Sequence, residues 1–423
     1  MHNLAAARPR RKVSAMHHIV QSLRAVSVCL LIAACYRAAP PRAAVDTDPL
    51  RPLPGALFGA QLPDRLADST YWRMVQTMSE PNGYFRSENF VSNEMGLQHV
   101  VASLQALTPQ GGAYVGVGPE QNFTYIGALK PRIAFIIDIR RQNLLQHLWY
   151  KAVFELSPTR AEFLARLFAR PALAKAPSSV SADSLIALMA VAPRDPAMFA
   201  RTFGDVRTQL LTRHGFTLDS SDLATLHYVD SVFYISGPTL NYSSGGGGSF
   251  GGGRGGFGGR GRGMPTFAEI AGATDEQGRN RGFLGDESLY GYVRDLERRN
   301  LIIPVVGNFA GPKAVRAVGS WLRDRSATVS FYYLSNVEQY LFGDRIWNDF
   351  IENVATMPLD TTSRFIRSST SRGGFGGGGG FGVGNANGFL MTQLTASILD
   401  NVEGSRDHSI SDYQTLVARR SKP

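Results

Sequence analysis

"AYVGVGPEQNFTYIGALKPRIAFIIDIRR", residues 113–141, sets the architecture by its order of residue types. Ala113 to Val117 is a short apolar strand, and Gly116 and Gly118 at its end allow a tight turn. Pro119 follows, and Asn122 is placed to cap the helix "FTYIGAL". "RIAFIID" is then an unbroken apolar run closed by an acid, the pattern of a strand covered on both faces in a parallel sheet. One strand-helix-strand unit results.

Working outward, "SNEMGLQHVVASLQAL" puts Leu97, Val100, Val101, Leu104 and Leu107 on one helical face ahead of the first strand. Helical periodicity resumes after it in "NLLQHLWYKAVFEL", "RAEFLARLFAR" and "DPAMFARTFGDVRTQLLTRHG". "SVFYISG", ending at Ser236 and Gly237, reads as a further strand, and "DESLYGYVRDLERRN" as a helix. A second unit follows: strand "LIIPVVGNF", helix "GPKAVRAVGSWLRDR", strand "TVSFYYLSN". Two such units around a helical middle predict an α/β fold, a doubly wound and mostly parallel sheet of Rossmann-like form, within a single domain over residues 66–423.

Two glycine-rich tracts, residues 243–263 and 371–388, interrupt this pattern and are expected to be flexible insertions, since neither has apolar content for a core. Their Arg-Gly-Gly steps resemble RNA-binding segments, which makes RNA binding a third reading of function. Charge argues against a nucleic-acid partner. Of the net +10, seven positive charges (Arg8, Arg10, Arg11, Lys12, Arg24, Arg37 and Arg42) precede the first acid, Asp46. The remainder is nearly neutral.

Both cysteines, Cys29 and Cys35, also lie in this leading segment, so the body offers no thiol for a disulfide, a zinc cluster or nucleophilic catalysis. Basic residues precede the apolar run "AVSVCLLIAA", residues 25–34, which is too short to span a bilayer and reads as a signal-peptide core over residues 1–35. "LIAAC" resembles the lipobox of bacterial lipoproteins. That resemblance implies lipidation of Cys35 and a membrane-anchored envelope protein, with residues 36–65, rich in Pro and Ala, as a tether. Cleavage near Ala44, or an uncleaved tail and a cytoplasmic location, are the other readings, and Met16 is an alternative start.

An open α/β sheet places its site at the carboxyl ends of its strands. Polar residues there are Glu120 and Asn122, Asp138 and Arg140, Asn308, Asn336 and Glu338. With Gly116 and Gly118 they form the candidate ligand-binding set, and Glu88, Asn93 and Glu94 in "SENFVSNE" could close over it. Asp138 lies twenty residues after Gly118, the spacing at which a carboxylate reaches a ribose hydroxyl. The body histidines, His99, His147, His214, His227 and His408, are scattered and define no Ser-His-acid order.

The glycine turn and Asp138 resemble class I S-adenosylmethionine-dependent methyltransferases. That resemblance implies S-adenosylmethionine or a nucleoside-like ligand held by the turn and by the acid. The chain departs from the pattern at Ala113, where an acid is usual, and at Pro119, where a third glycine is common. "GVGPEQNFTYI", "IIDIRR", "VVGNFAGPKAVRAVG" and "FYYLSNVEQYL" together resemble an uncharacterised bacterial family of methyltransferase-like fold. The combined expectation is an exported lipoprotein using that fold as a ligand-binding or structural module; the alternative is a methyltransferase.

Overall fold

The computed structural model describes residues 61–107, 111–242, 264–370 and 391–419, all within one compact unit, Thr47–Pro423. Cys35, the leading segment and both glycine tracts lie outside the described residues.

Helices α1 (Asp68–Met78) and α2 (Val101–Leu107) lead into β1 (Ala113–Gly116), α3 (Gln121–Leu129) and β2 (Ile133–Asp138). A helical stretch follows: α4 (Arg141–Leu156), α5 (Arg160–Phe168), α6 (Ala182–Val191), α7 (Pro196–Arg207), α8 (Ser220–Ser236), α9 (Phe267–Gly272) and α10 (Glu287–Arg298). The second unit is β3 (Ile302–Val306), α11 (Ala314–Arg323) and β4 (Val329–Ser335). Helices α12 (Val337–Gly343) and α13 (Trp347–Val354), strands β5 (Arg364–Thr370) and β6 (Met391–Ser397), then α14 (Ile398–Arg406) and α15 (Tyr413–Ala418) complete the described chain.

The six strands form one sheet in the order β3-β2-β1-β4-β5-β6, parallel except for β6, which pairs antiparallel to β5. This mixed α/β arrangement is compatible with a Rossmann-like fold. Every residue of β1, β2 and β3 is buried, which explains why these strands read as apolar runs: both faces are covered. Pro304, opposite Ile136, is tolerated because β3 is an edge strand and needs hydrogen bonds on one side only.

One expected strand is a helix. Residues 231–236 of "SVFYISG" form the last turns of α8. That helix starts from a capping box in which Asp219 accepts from the Asp222 N–H and the Asp222 side chain returns the bond, and it buries Leu226, Val229, Val232 and Phe233 at helical spacing. Long-range packing of that face overrides the local β-branched and aromatic composition.

Candidate functional site

The turn after β1 is built from its own side chains. Gly118 has φ of +77°, a region favouring glycine. Asn122 does not cap α3; the cap position is Glu120, and Asn122 is buried within the helix. Its Nδ2 donates to the carbonyls of Val117 (3.0 Å), Gly118 (3.1 Å) and Pro119 (2.8 Å), while its Oδ1 accepts from the Tyr114 hydroxyl at 2.8 Å. A Cβ on Gly116 would stand 2.0 Å from that Oδ1, so Gly116 makes room for Asn122 rather than for a ligand. His147 braces the turn from α4, its Nε2 lying 2.8 Å from the Gly118 carbonyl. Burial lowers its pKa to about 4, so it is neutral and donates.

Above this turn is a cavity of about 210 Å³ at the carboxyl ends of β1, β2, β3 and β4. The chain leaves β1 toward β2 on one side and meets β4 on the other, so the cavity occupies the switch point where ligands of open α/β sheets bind. Its floor and walls are Gly118 and Gln121, then Asp138 and Arg140, then Gly307 to Phe309, then Ser335 to Val337. Residues 84, 85, 89 and 92–94 cross over it, and Tyr242, Tyr340 and Asp344 stand at the rim.

Of the nine residues expected from sequence, Gly118, Asp138, Arg140, Asn308 and Asn336 line this cavity, and Gly116, Glu120, Asn122 and Glu338 do not. Glu120 is buried, accepting from the Ser92 N–H at 2.9 Å; burial raises its pKa to about 7 against that bond. Glu338 pairs with Arg367 at 3.1 Å, both 1% exposed, and burial raises it to about 7. Of the covering segment, Asn93 and Glu94 line the cavity, whereas the Glu88 carboxylate accepts from the Tyr228 hydroxyl at 2.9 Å. Sequence reading missed Phe85, Asn89, Gln121 and Tyr340. Asn89 (φ +48°) and Ser335 (φ +51°) are left-handed without being glycine, a strain common at functional sites.

Arg140 latches the covering segment. Its backbone N–H (2.9 Å) and Nε (3.3 Å) donate to Asp138 Oδ1, and its Nη1 donates to the carbonyls of Ser87 (2.8 Å) and Glu88. The Phe85 ring lies 5.7 Å from the guanidinium carbon. Among the described residues Asp138 Oδ2 has only an Arg140 contact at 3.5 Å, leaving lone pairs for another donor.

The cavity is poorly suited to phosphate. Arg140 is the single Lys or Arg among the lining residues, and Asp138 already neutralises it. The N-terminus of α11 is filled by Glu80, which accepts from the N–H groups of Lys313 (2.9 Å), Ala314 (2.8 Å) and Asn308 (3.0 Å). The Glu80 carboxylate thus holds a helix end that would otherwise receive an anion.

A family described as a domain of unknown function (DUF7790) matches residues 89–185 and 266–384, half of the chain. The chain belongs to this family. The DUF7790 segments contain β1 to β5, the glycine turn, Asp138, Arg140 and the loops after β3 and β4. Helices α7 and α8 fall between the two DUF7790 segments. The comparison with curated proteins finds no match. Among the described residues no group of three or more His, Cys, Asp or Glu could hold a metal ion, and no helix is long and apolar enough to cross a membrane.

Proposed function

We propose that this protein is a binding module of methyltransferase-like fold whose cavity takes a nucleoside-type ligand lacking phosphate. One observation carries the reading: Asp138 and the Gly118 turn face the same cavity at the switch point, with Asp138 Oδ2 open to a hydroxyl donor. The filled N-terminus of α11 and the neutralised arginine support the exclusion of phosphate.

Calorimetric titration with adenosine and 5′-AMP tests it. Adenosine should bind and 5′-AMP should bind more weakly. Asp138→Ala should weaken adenosine by one or two charge-assisted bonds, about 1.5–3 kcal/mol each. Equal affinity in the variant, or a preference for 5′-AMP, sinks the proposal.

The second reading is methyl transfer, favoured by the strand order and by the cavity's place above the glycine turn. Ala113 and Pro119 stand against it as departures from the cofactor pattern. Conversion of S-adenosylmethionine to S-adenosylhomocysteine by the purified protein, with the methyl group recovered on an added nucleophilic acceptor, would establish it.

The setting we propose is the cell envelope, with the chain anchored through lipid on Cys35, because "LIAAC" closes an apolar run with that cysteine. Labelling with a radioactive fatty acid should mark the wild type and not Cys35→Ser. Equal labelling, or a wild-type protein confined to the soluble cytoplasm, refutes the anchor.

A further inference from the structure

Glu94 lines the cavity and is 1% exposed. Its Oε1 accepts from the Ser335 hydroxyl at 2.5 Å, and its Oε2 accepts from the Tyr333 hydroxyl (2.8 Å) and from Gln393 Nε2 (2.7 Å). All three donors are neutral. Among the described residues no Lys, Arg or His forms an ion pair with it. Asp138 and Glu338, by contrast, each have an arginine.

A buried carboxylate without a counter-charge costs several kcal/mol unless it is protonated or a cation arrives. Burial raises the carboxyl's pKa against hydrogen bonds from Ser335, Ser368, Tyr333 and Gln393, which favour the charged form; a cation arriving in the cavity would add to their side. Gln121 independently points the same way. It lines the cavity, is 4% exposed, and spends its Nε2 on the Val117 carbonyl and the Tyr333 hydroxyl, both at 3.3 Å, while its Oε1 has no partner. Two residues of this wall thus carry a buried carboxyl and a buried amide oxygen, the latter without a partner among the described residues. A sulfonium would bring charge but no N–H. A primary ammonium brings both.

We propose that the ligand of this cavity carries a primary ammonium group, received by Glu94 with Gln121 as the second acceptor. The inference rests on the nucleoside reading above and extends it to the other end of the ligand. Asp138 takes the hydroxyls, and the acceptor wall takes the cation.

The test compares two probes that share a nucleoside and a thioether, 5′-methylthioadenosine and S-adenosyl-3-thiopropylamine, the second ending in an ammonium. At neutral pH the amine should bind about tenfold tighter or better, as expected of a charge-assisted hydrogen bond. Glu94→Gln should bring the two within about twofold of one another. Should Glu94→Gln fail to fold, Gln121→Met, which removes the second acceptor and leaves Glu94, should also reduce the preference. An amine with no advantage over 5′-methylthioadenosine overturns the inference and leaves the nucleoside reading standing. An advantage that persists undiminished in these variants overturns the assignment to Glu94. If neither probe binds, the nucleoside reading falls and takes this inference with it.

Discussion

Lys151→Ala should destabilise the protein by about 3–5 kcal/mol, the range expected when one partner of a buried ion pair is removed. Lys151, on α4, is fully buried, with its Nζ 2.8 Å from Glu155 Oε1, donating to the Glu297 carbonyl, and 5.1 Å from the centre of the Tyr71 ring. Glu155 Oε2 in turn meets His214 Nε2 at 2.7 Å, and His214 Nδ1 meets Asp68 Oδ1 at 2.8 Å. Burial pushes the Glu155 carboxyl up, but the His214 hydrogen bond and the Lys151 charge together hold it below its ordinary value. At His214 burial and the Lys151 charge push downward, but the contacts with Glu155 and Asp68 outweigh them and raise it. Four parts of the chain, α1, α4, α10 and residues 208–214, are thereby tied through one cation. Without it Glu155 and Glu297 are two buried acids facing a void. Urea unfolding checks this. A loss below about 1 kcal/mol, the worth of an exposed pair, would show that the cluster does not depend on the lysine.

Glu297 should make the protein sensitive to alkali. It is 1% exposed, and neither carboxyl oxygen has a hydrogen-bond partner among the described residues. Burial raises its pKa from 4.5 to about 8, with Lys151 opposing and Glu155 adding to the rise. Because the folded pKa lies above the unfolded one, its contribution to stability is complete below about pH 4.5 and is lost as pH rises through about 8. At 1.36 kcal/mol per unit the loss amounts to roughly 3–5 kcal/mol by about pH 9. Glu297→Gln cannot ionise. It should match the wild type near pH 5 and exceed it near pH 9 in urea midpoint, and a difference that does not change with pH would refute the assignment.

The parts of this molecule that could be read from sequence are those where local pattern and burial agree. "IAFIID" and "IIPVV" are strands buried on both faces, and no charged residue breaks either run before its end. Gly118 and Asp138 were legible because a turn and a strand end are local features. Asn122 was legible as important, but its role was not, because the carbonyls it binds belong to a turn whose shape depends on that binding. Glu120 and Glu338 show the limit of placing acids at strand ends, since a side chain there can turn inward to Ser92 or to Arg367. Phe85 and Tyr340 carried no signal. They meet edge to face, ring centroids 5.4 Å apart, across some 250 residues of sequence, within segments that have no strand period around Phe85 and only a short helix around Tyr340.

The bond from Gln393 to Glu94 joins residues 299 positions apart, and Gln393 belongs to the last strand of the sheet. During synthesis the glycine turn and both parallel neighbours of β1 leave the ribosome well before β6. A nascent chain stopped after β5 carries the Asp138 side of the cavity, while Glu94 lacks the Gln393 donor. On the proposal above, capture of an ammonium would then be an event of nearly finished translation, and a C-terminally clipped product would keep most helices yet bind as a different protein.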